Sequence, residues 1–169
     1  LFEMCKTFVQ KSASGKKQTI GFTANNSDTL TYPIRYSMGN AYDSWEQADG
    51  KWMPGNLGQS HLGWINLMRK YYKEGAIDKD FALNKNDDGR NKFVSGTAGL
   101  LIYSLAANDY DELVKDFEEA NPGKKASDCL KVIMYPKNDK GEIRIQNDSL
   151  IGTGTYFGAG SSDENMDRV

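Results

Sequence analysis

Histidine, cysteine and charge of one sign are what this chain has least of, and each shortage removes a class of function. His61 is the only histidine among 169 residues. It stands near the start of an amphipathic segment with no cysteine or carboxylate at metal-ligand spacing. A zinc site or a Ser/His/Asp triad would therefore lack its other members, and a place on a helix surface fits it better. The two cysteines, Cys5 and Cys129, lie far apart in apolar surroundings. That pattern supports neither a disulfide framework nor a metal site and reads as two buried thiols, with a bridge between them left open for an exported protein. Twenty-one Lys and Arg face 23 Asp and Glu, a net charge of −2, and the lysines are scattered. There is no basic footprint for a phosphate backbone, so nucleic acid is not an expected partner. No apolar run reaches the roughly 18 residues of a membrane-spanning helix. Leu1-Phe2-Glu3-Met4-Cys5 reads as the interior of a helix rather than a leader. The expectation is a piece of a longer protein, with any targeting segment lost.

Two stretches imitate ion or phosphate sites. Gly152, Gly154, Gly158 and Gly160 lack the G-x-G-x-x-G spacing and no lysine follows them, so they suit a strand that bends or closely approaches another backbone. Asn84-x-Asn86-x-Asp88-Gly89 opens like a calcium loop, but Ser95 stands where the bidentate Glu belongs. A solvated, turn-forming loop is the better reading, and no metal or cofactor is expected.

What is present is the pattern of an α/β domain. Leu1, Cys5, Phe8 and Val9 share a face at helical spacing, and Gln18–Thr23 alternates like a short strand. Asn25–Asp28 reads as a polar turn, and a short helix spans Leu30–Met38 despite Pro33. Asp49-Gly50 between Trp45 and Trp52 predicts a tight hairpin. Gln59–Lys73 is the clearest helix, with Leu62, Ile65, Met68 and Tyr72 as its apolar stripe and Gly75 as its left-handed cap. Arg90–Val94 predicts another short helix. The apolar run Ala98–Tyr103 predicts a strand covered on both faces. A helix follows from Asp109, with Glu112 three residues on in a capping-box-like start, and ends at Asn121-Pro122-Gly123. Leu130–Tyr135, Glu142–Gln146 and Leu150–Phe157 read as strands. The alternation argues for one sheet with helices on its faces.

Aromatic residues in loops and at strand ends stand out, above all Tyr42, Trp45, Trp52 and Tyr103. Ligands of open α/β sheets sit beyond the carboxyl ends of the strands. An aromatic ring there can stack on a sugar while nearby polar groups take its hydroxyls. The competing reading is that the tryptophans plug the edge of the core.

The order of several phrases resembles a family. Asp43-Ser44-Trp45, Asp49-Gly50-Lys51-Trp52, Tyr72-Lys73-Glu74-Gly75-Ala76-Ile77-Asp78-Lys79-Asp80-Phe81 and Phe93-Val94-Ser95-Gly96-Thr97-Ala98 follow one another as in the extracellular solute-binding proteins of carbohydrate-type ABC importers. Leu30-Thr31-Tyr32-Pro33-Ile34 is similar to a stretch of the maltodextrin-binding relatives whose preceding residues reach the sugar. The resemblance implies a periplasmic-binding-protein-like lobe, a mixed sheet with helices on both faces, over residues 1–152. Residues 153–169 would be a hinge strand and the start of a helix returning to an amino-terminal lobe. Ser27, Asp28 and Thr29 become cleft candidates by that match. The strand after Phe93-Val94-Ser95-Gly96 would deliver a ligand-contacting loop, Tyr103 to Ala107. The maltodextrin-binding relatives carry a tryptophan there, where this chain has Ala106, so the same sugar does not follow. Tyr42 and Trp45 are the stacking candidates, with Asp28, Thr29, Tyr103 and Ser104 as polar or wall contacts. The implied function is capture of a carbohydrate or similar polar solute by closure of two lobes, without a covalent step. Delivery would be to an ABC permease, by a monomer that is lipid-anchored on the extracellular face or periplasmic. Two alternatives stay open: a carbohydrate-active hydrolase whose acid pair is invisible in sequence, and an interaction module using the same aromatics as hot spots.

Overall fold

The computed structural model describes residues 1–10, 20–38, 45–85, 87–104, 106–135, 137–138 and 140–143. It is an α/β arrangement. In chain order come α1 (Phe2–Gln10), β1 (Thr23–Ala24), α2 (Ser27–Ser37), the hairpin β2 (Trp45–Ala48) and β3 (Lys51–Pro54), and α3 (Gln59–Lys73). Then follow α4 (Asp88–Val94), β4 (Leu101–Ile102), α5 (Ala107–Ala120) and α6 (Ala126–Cys129).

The centre is a set of parallel segments. β1 pairs in parallel with β4, Thr23 opposite Leu101 and Ala24 opposite Ile102. Parallel bridges extend the pairing from Ile20 to Ala98 and, on the other side, from Phe22 to Ile77. The segment Ile20–Ala24 therefore lies between two neighbours, and apart from Phe22, which fills the core, its residues are small or β-branched, as suits that confinement. Gly21 has no space for a Cβ, which would come within 2.7 Å of Cys5 on α1. The layer is covered on both faces: Leu100 and Ile102 pack on a core of Cys5, Phe22, Leu30, Ile34, Met68, Tyr71 and Ile77, while Leu101 and Tyr103 pack on Val94, Leu113, Phe117 and Ala126.

Several expectations need correcting. The α2 helix begins at Ser27, three residues early, because Asn26 caps it: its Oδ1 accepts the Thr29 N–H at 2.8 Å. Pro33 lies inside that helix and withholds one N–H from its ladder. The bounds of α3 are as read, but its stripe only in part. Met68 is buried as expected, and Tyr71 with it, whereas Leu62 and Tyr72 are 53% and 45% exposed. The α5 helix begins at Ala107 without a side-chain cap, so Asp109 sits in its first turn rather than opening it. Leu130–Tyr135 forms no ladder in the described structure, and Val132, Ile133 and Met134 are exposed. Cys5 is buried but Cys129 is exposed, and both are free thiols. The hairpin is as predicted: Asp49 and Gly50 have φ of 51° and 75°, the paired left-handed turn that Asp-Gly favours. Most of the last two predicted strands, the hinge segment 153–169 and Tyr42 lie outside the described residues.

Candidate ligand-binding edge

The carboxyl ends of the parallel segments meet at one edge, and a buried carboxylate fixes it. Asp78, directly after the Ile77 bridge, is 1% exposed. Its Oδ2 accepts from Thr23 Oγ1 at 2.9 Å, Asn84 Nδ2 at 2.9 Å and Lys92 Nζ at 2.8 Å, and its Oδ1 accepts the Asp80 N–H at 3.0 Å. Burial works against its charge, but donors led by Lys92 and Asn84 outweigh it and hold the carboxyl below the usual Asp range. Asn84 also donates to the Ala24 carbonyl, and its own Oδ1 accepts from Lys92 at 2.6 Å. In the calcium-like stretch Asp88 is exposed, as a solvated loop requires, whereas Asn84 is turned inward. Asn84 is spent on the strand end, with the Lys92 ammonium between it and Asp78.

The same stretch carries α4 onto the edge. The backbone of Ala24 and Asn25 presses against Gly89, leaving no space for a Cβ, and Arg90 N donates to Asn25 Oδ1 at 2.9 Å. The Arg90 side chain, 8% exposed, reaches across to the end of β4. Its Nη1 donates to Tyr103 Oη at 3.0 Å and to Glu112 Oε2 at 2.7 Å. Its Nη2 lies 3.3 Å from Asp87, and its Nε lies 3.1 Å from Asp116 without hydrogen-bond geometry. Burial favours loss of the charge, yet Glu112, Tyr103 and Asp116 hold the guanidinium more firmly protonated than an ordinary arginine.

Of the predicted site residues, Ser27 and Thr29 occupy the first turn of α2, immediately beyond β1. Asp28 lies between them in that turn, its side chain outside the described residues. Tyr103, Ser104 and Ala106 follow β4 directly, with Ser104 Oγ accepting the Ala106 N–H at 3.1 Å. Because β1 and β4 are parallel neighbours, these two groups emerge side by side. Much of the Tyr103 ring is committed to the α5 core, so its hydroxyl is the part best placed for a ligand.

Trp45 belongs to a different element. It opens the hairpin, which is tied to the start of α3 by Ser60 Oγ donating to Glu46. Gln47 is opposite Trp52, and Trp45 is opposite Pro54. Alternation therefore sets Trp45, Gln47 and Trp52 on one face. Trp45 is 63% and Trp52 67% exposed, so neither plugs the core. Trp52 stands out in the sequence beside Trp45 but is not among the stacking candidates there, although the parity of a two-residue turn pairs the two rings on one face. His61 is engaged too, its Nδ1 accepting from Trp64 Nε1 at 3.2 Å. A groove of about 630 Å³ opens at the end of α3, lined by Met68, Arg69, Tyr72, Lys73, Ile77 and Phe81 among others, and none of the predicted residues lines it.

No family model matches the chain. Over 111 residues, 62% of the chain, it is 28% identical to the polygalacturonan/rhamnogalacturonan-binding protein YtcQ of Bacillus subtilis (strain 168). The match takes in 22% of that protein, so the chain spans about a fifth of the length of this curated relative.

Proposed function

We propose that this chain is a carbohydrate-binding lobe of a solute-binding protein, capturing an oligosaccharide at the shared carboxyl edge of β1 and β4. The observation that carries the reading is the parallel pairing of Thr23–Ala24 with Leu101–Ile102, which brings Ser27–Thr29 and Tyr103–Ala106 out together. Parallel sheets bind ligands at such edges. Hydroxyl and amide groups there suit a polyhydroxylated ligand, and Trp45 with Trp52 offers flat apolar rings for sugar faces. The similarity to a polygalacturonan/rhamnogalacturonan-binding protein supports the same class of ligand and makes galacturonate oligomers the first to try. In this reading a second lobe closes over the sugar about a hinge. The closed form hands the sugar to an ABC permease at the extracellular face of the membrane or in the periplasm. The protein works as a monomer, and no bond of the ligand is broken.

The test is isothermal titration of the full-length natural protein with galacturonate oligomers, rhamnogalacturonan oligosaccharides and malto-oligosaccharides. Saturable binding of one class, weakened at least tenfold by Trp45→Ala or Thr29→Ala, is the expected result. Shortened oligosaccharides appearing in the cell would replace this reading with a hydrolase. Silence across the panel would remove the carbohydrate.

A further inference from the structure

Arg90 belongs to no pattern that marks a ligand site, yet it touches both halves of the proposed edge. Its backbone N–H holds Asn25, next to the Asn26 cap of α2, and its Nη1 holds the Tyr103 hydroxyl at the end of β4. A guanidinium only donates hydrogen bonds. Tyr103 Oη must therefore act as acceptor toward Arg90, which leaves the phenolic proton to be given elsewhere, and none of the described residues accepts it. Glu112, Asp87 and Asp116 surround the guanidinium and hold it against the start of α5. Those three carboxylates leave Arg90 little freedom to swing out toward a ligand itself.

We infer that Arg90 is a positioning residue that orients Tyr103 as a hydrogen-bond donor, so that the site selects a ligand oxygen able to accept at that point. The inference rests on the carbohydrate-binding reading above and adds the polarity of one contact. A sugar hydroxyl, ring oxygen or carboxylate can accept there; a group that only donates cannot. Arg90 acts through Tyr103, without touching the ligand.

A double-mutant cycle on affinity tests it, using the full-length protein and a galacturonate trimer, with Tyr103→Phe, Arg90→Met and their combination. Each single change is expected to weaken binding about three- to tenfold, the range of one net hydrogen bond. The double variant is expected to bind no worse than the weaker single, because both changes remove the same contact. Arg90→Lys, which keeps a donor, should recover part of the loss. Losses that multiply in the double variant would overturn the inference, since Arg90 would then act separately from Tyr103. Tyr103→Phe also separates this inference from a folding effect, as it removes one oxygen and retains the packed ring. Unchanged affinity in Tyr103→Phe, beside a clear loss in Thr29→Ala, would overturn the role of Arg90 and leave the binding reading standing. No binding by the wild type, or no loss in Tyr103→Phe, Thr29→Ala and Trp45→Ala alike, would remove both.

Discussion

Replacing Lys92 by methionine keeps the length of the stem and removes the ammonium that stands 2.8 Å from Asp78 and 2.6 Å from Asn84. Breaking a buried ion pair from one side costs about 3–5 kcal/mol, because the partner charge is left without compensation. Two features moderate that figure. The Lys92 side chain is 25% exposed, and Asp78 retains Thr23 Oγ1, Asn84 Nδ2 and the Asp80 N–H. The expected loss at pH 7 is about 2–3 kcal/mol, or roughly 5–10 °C in Tm for a domain of this size. Urea unfolding at pH 7 and pH 4 gives the decisive signature. In the wild type, Asp78 has a lowered folded pKa, so its contribution is present above the ordinary Asp value and is lost as pH falls through the folded one. In the variant the strongest donor is gone and burial dominates, which raises the folded pKa. Its penalty is then present at pH 7 and fades as Asp78 takes up a proton on acidification. The gap between the two proteins should narrow from pH 7 to pH 4. Adding Asp78→Asn to Lys92→Met should recover at least half of the loss at pH 7, since no charge remains buried. A loss under about 1 kcal/mol at pH 7, or one independent of pH, would refute the view that this pair fastens the strand ends.

Gly89→Ala drives a methyl into the backbone of Ala24 and Asn25, so it should destabilise by about 1–3 kcal/mol in the same urea assay, whereas Gly123→Ala, with open space but φ of 83°, should cost about 1 kcal/mol. A thiol reagent at pH 7.5 should label Cys129 quickly and Cys5 only after unfolding; equal rates would contradict the burial of α1. Burial pushes the Cys5 thiol up to about 11, against a smaller opposing effect of a backbone hydrogen bond. The folded state therefore holds a proton that the unfolded state releases from pH 9 upward. Stability should fall by about 2 kcal/mol as pH rises from 9 to 11, and Cys5→Ser should flatten that fall in alkaline urea melts.

How much of this was legible in the sequence depends on how local the deciding physics is. The hairpin at Asp49-Gly50 and the bounds of α3 were readable because turn chemistry and a glycine cap act within a few residues. The α3 stripe was misread in part because apolar residues occur at 62, 64, 65, 67, 68, 71 and 72, and only contacts with α2 and the central segments choose among the possible faces. The start of α2 was misplaced because Asn25, Asn26, Ser27 and Asp28 are all residue types that cap helices. The edge that gathers Ser27, Thr29, Tyr103 and Ser104 was reachable through the resemblance and the rule about strand ends. Arg90 and Asp78 were not. Partners arrive from positions 22 and 26 further on for Arg90, and 55 back for Asp78, so no short pattern marks these contacts.

The pairing of Thr23 with Leu101 also has a kinetic meaning. It joins residues 78 positions apart, and closing a loop of that length costs roughly 4 kcal/mol of chain entropy before any ladder bond repays it. Helices such as α3 and the hairpin can form from local contacts, but the parallel pair waits for about three fifths of the given sequence to be in place. The residues proposed to grip the sugar are held together by that late contact. On a ribosome the chain would thus remain without its binding edge until β4 has emerged, and ligand capture becomes a report that this long-range step of folding is complete.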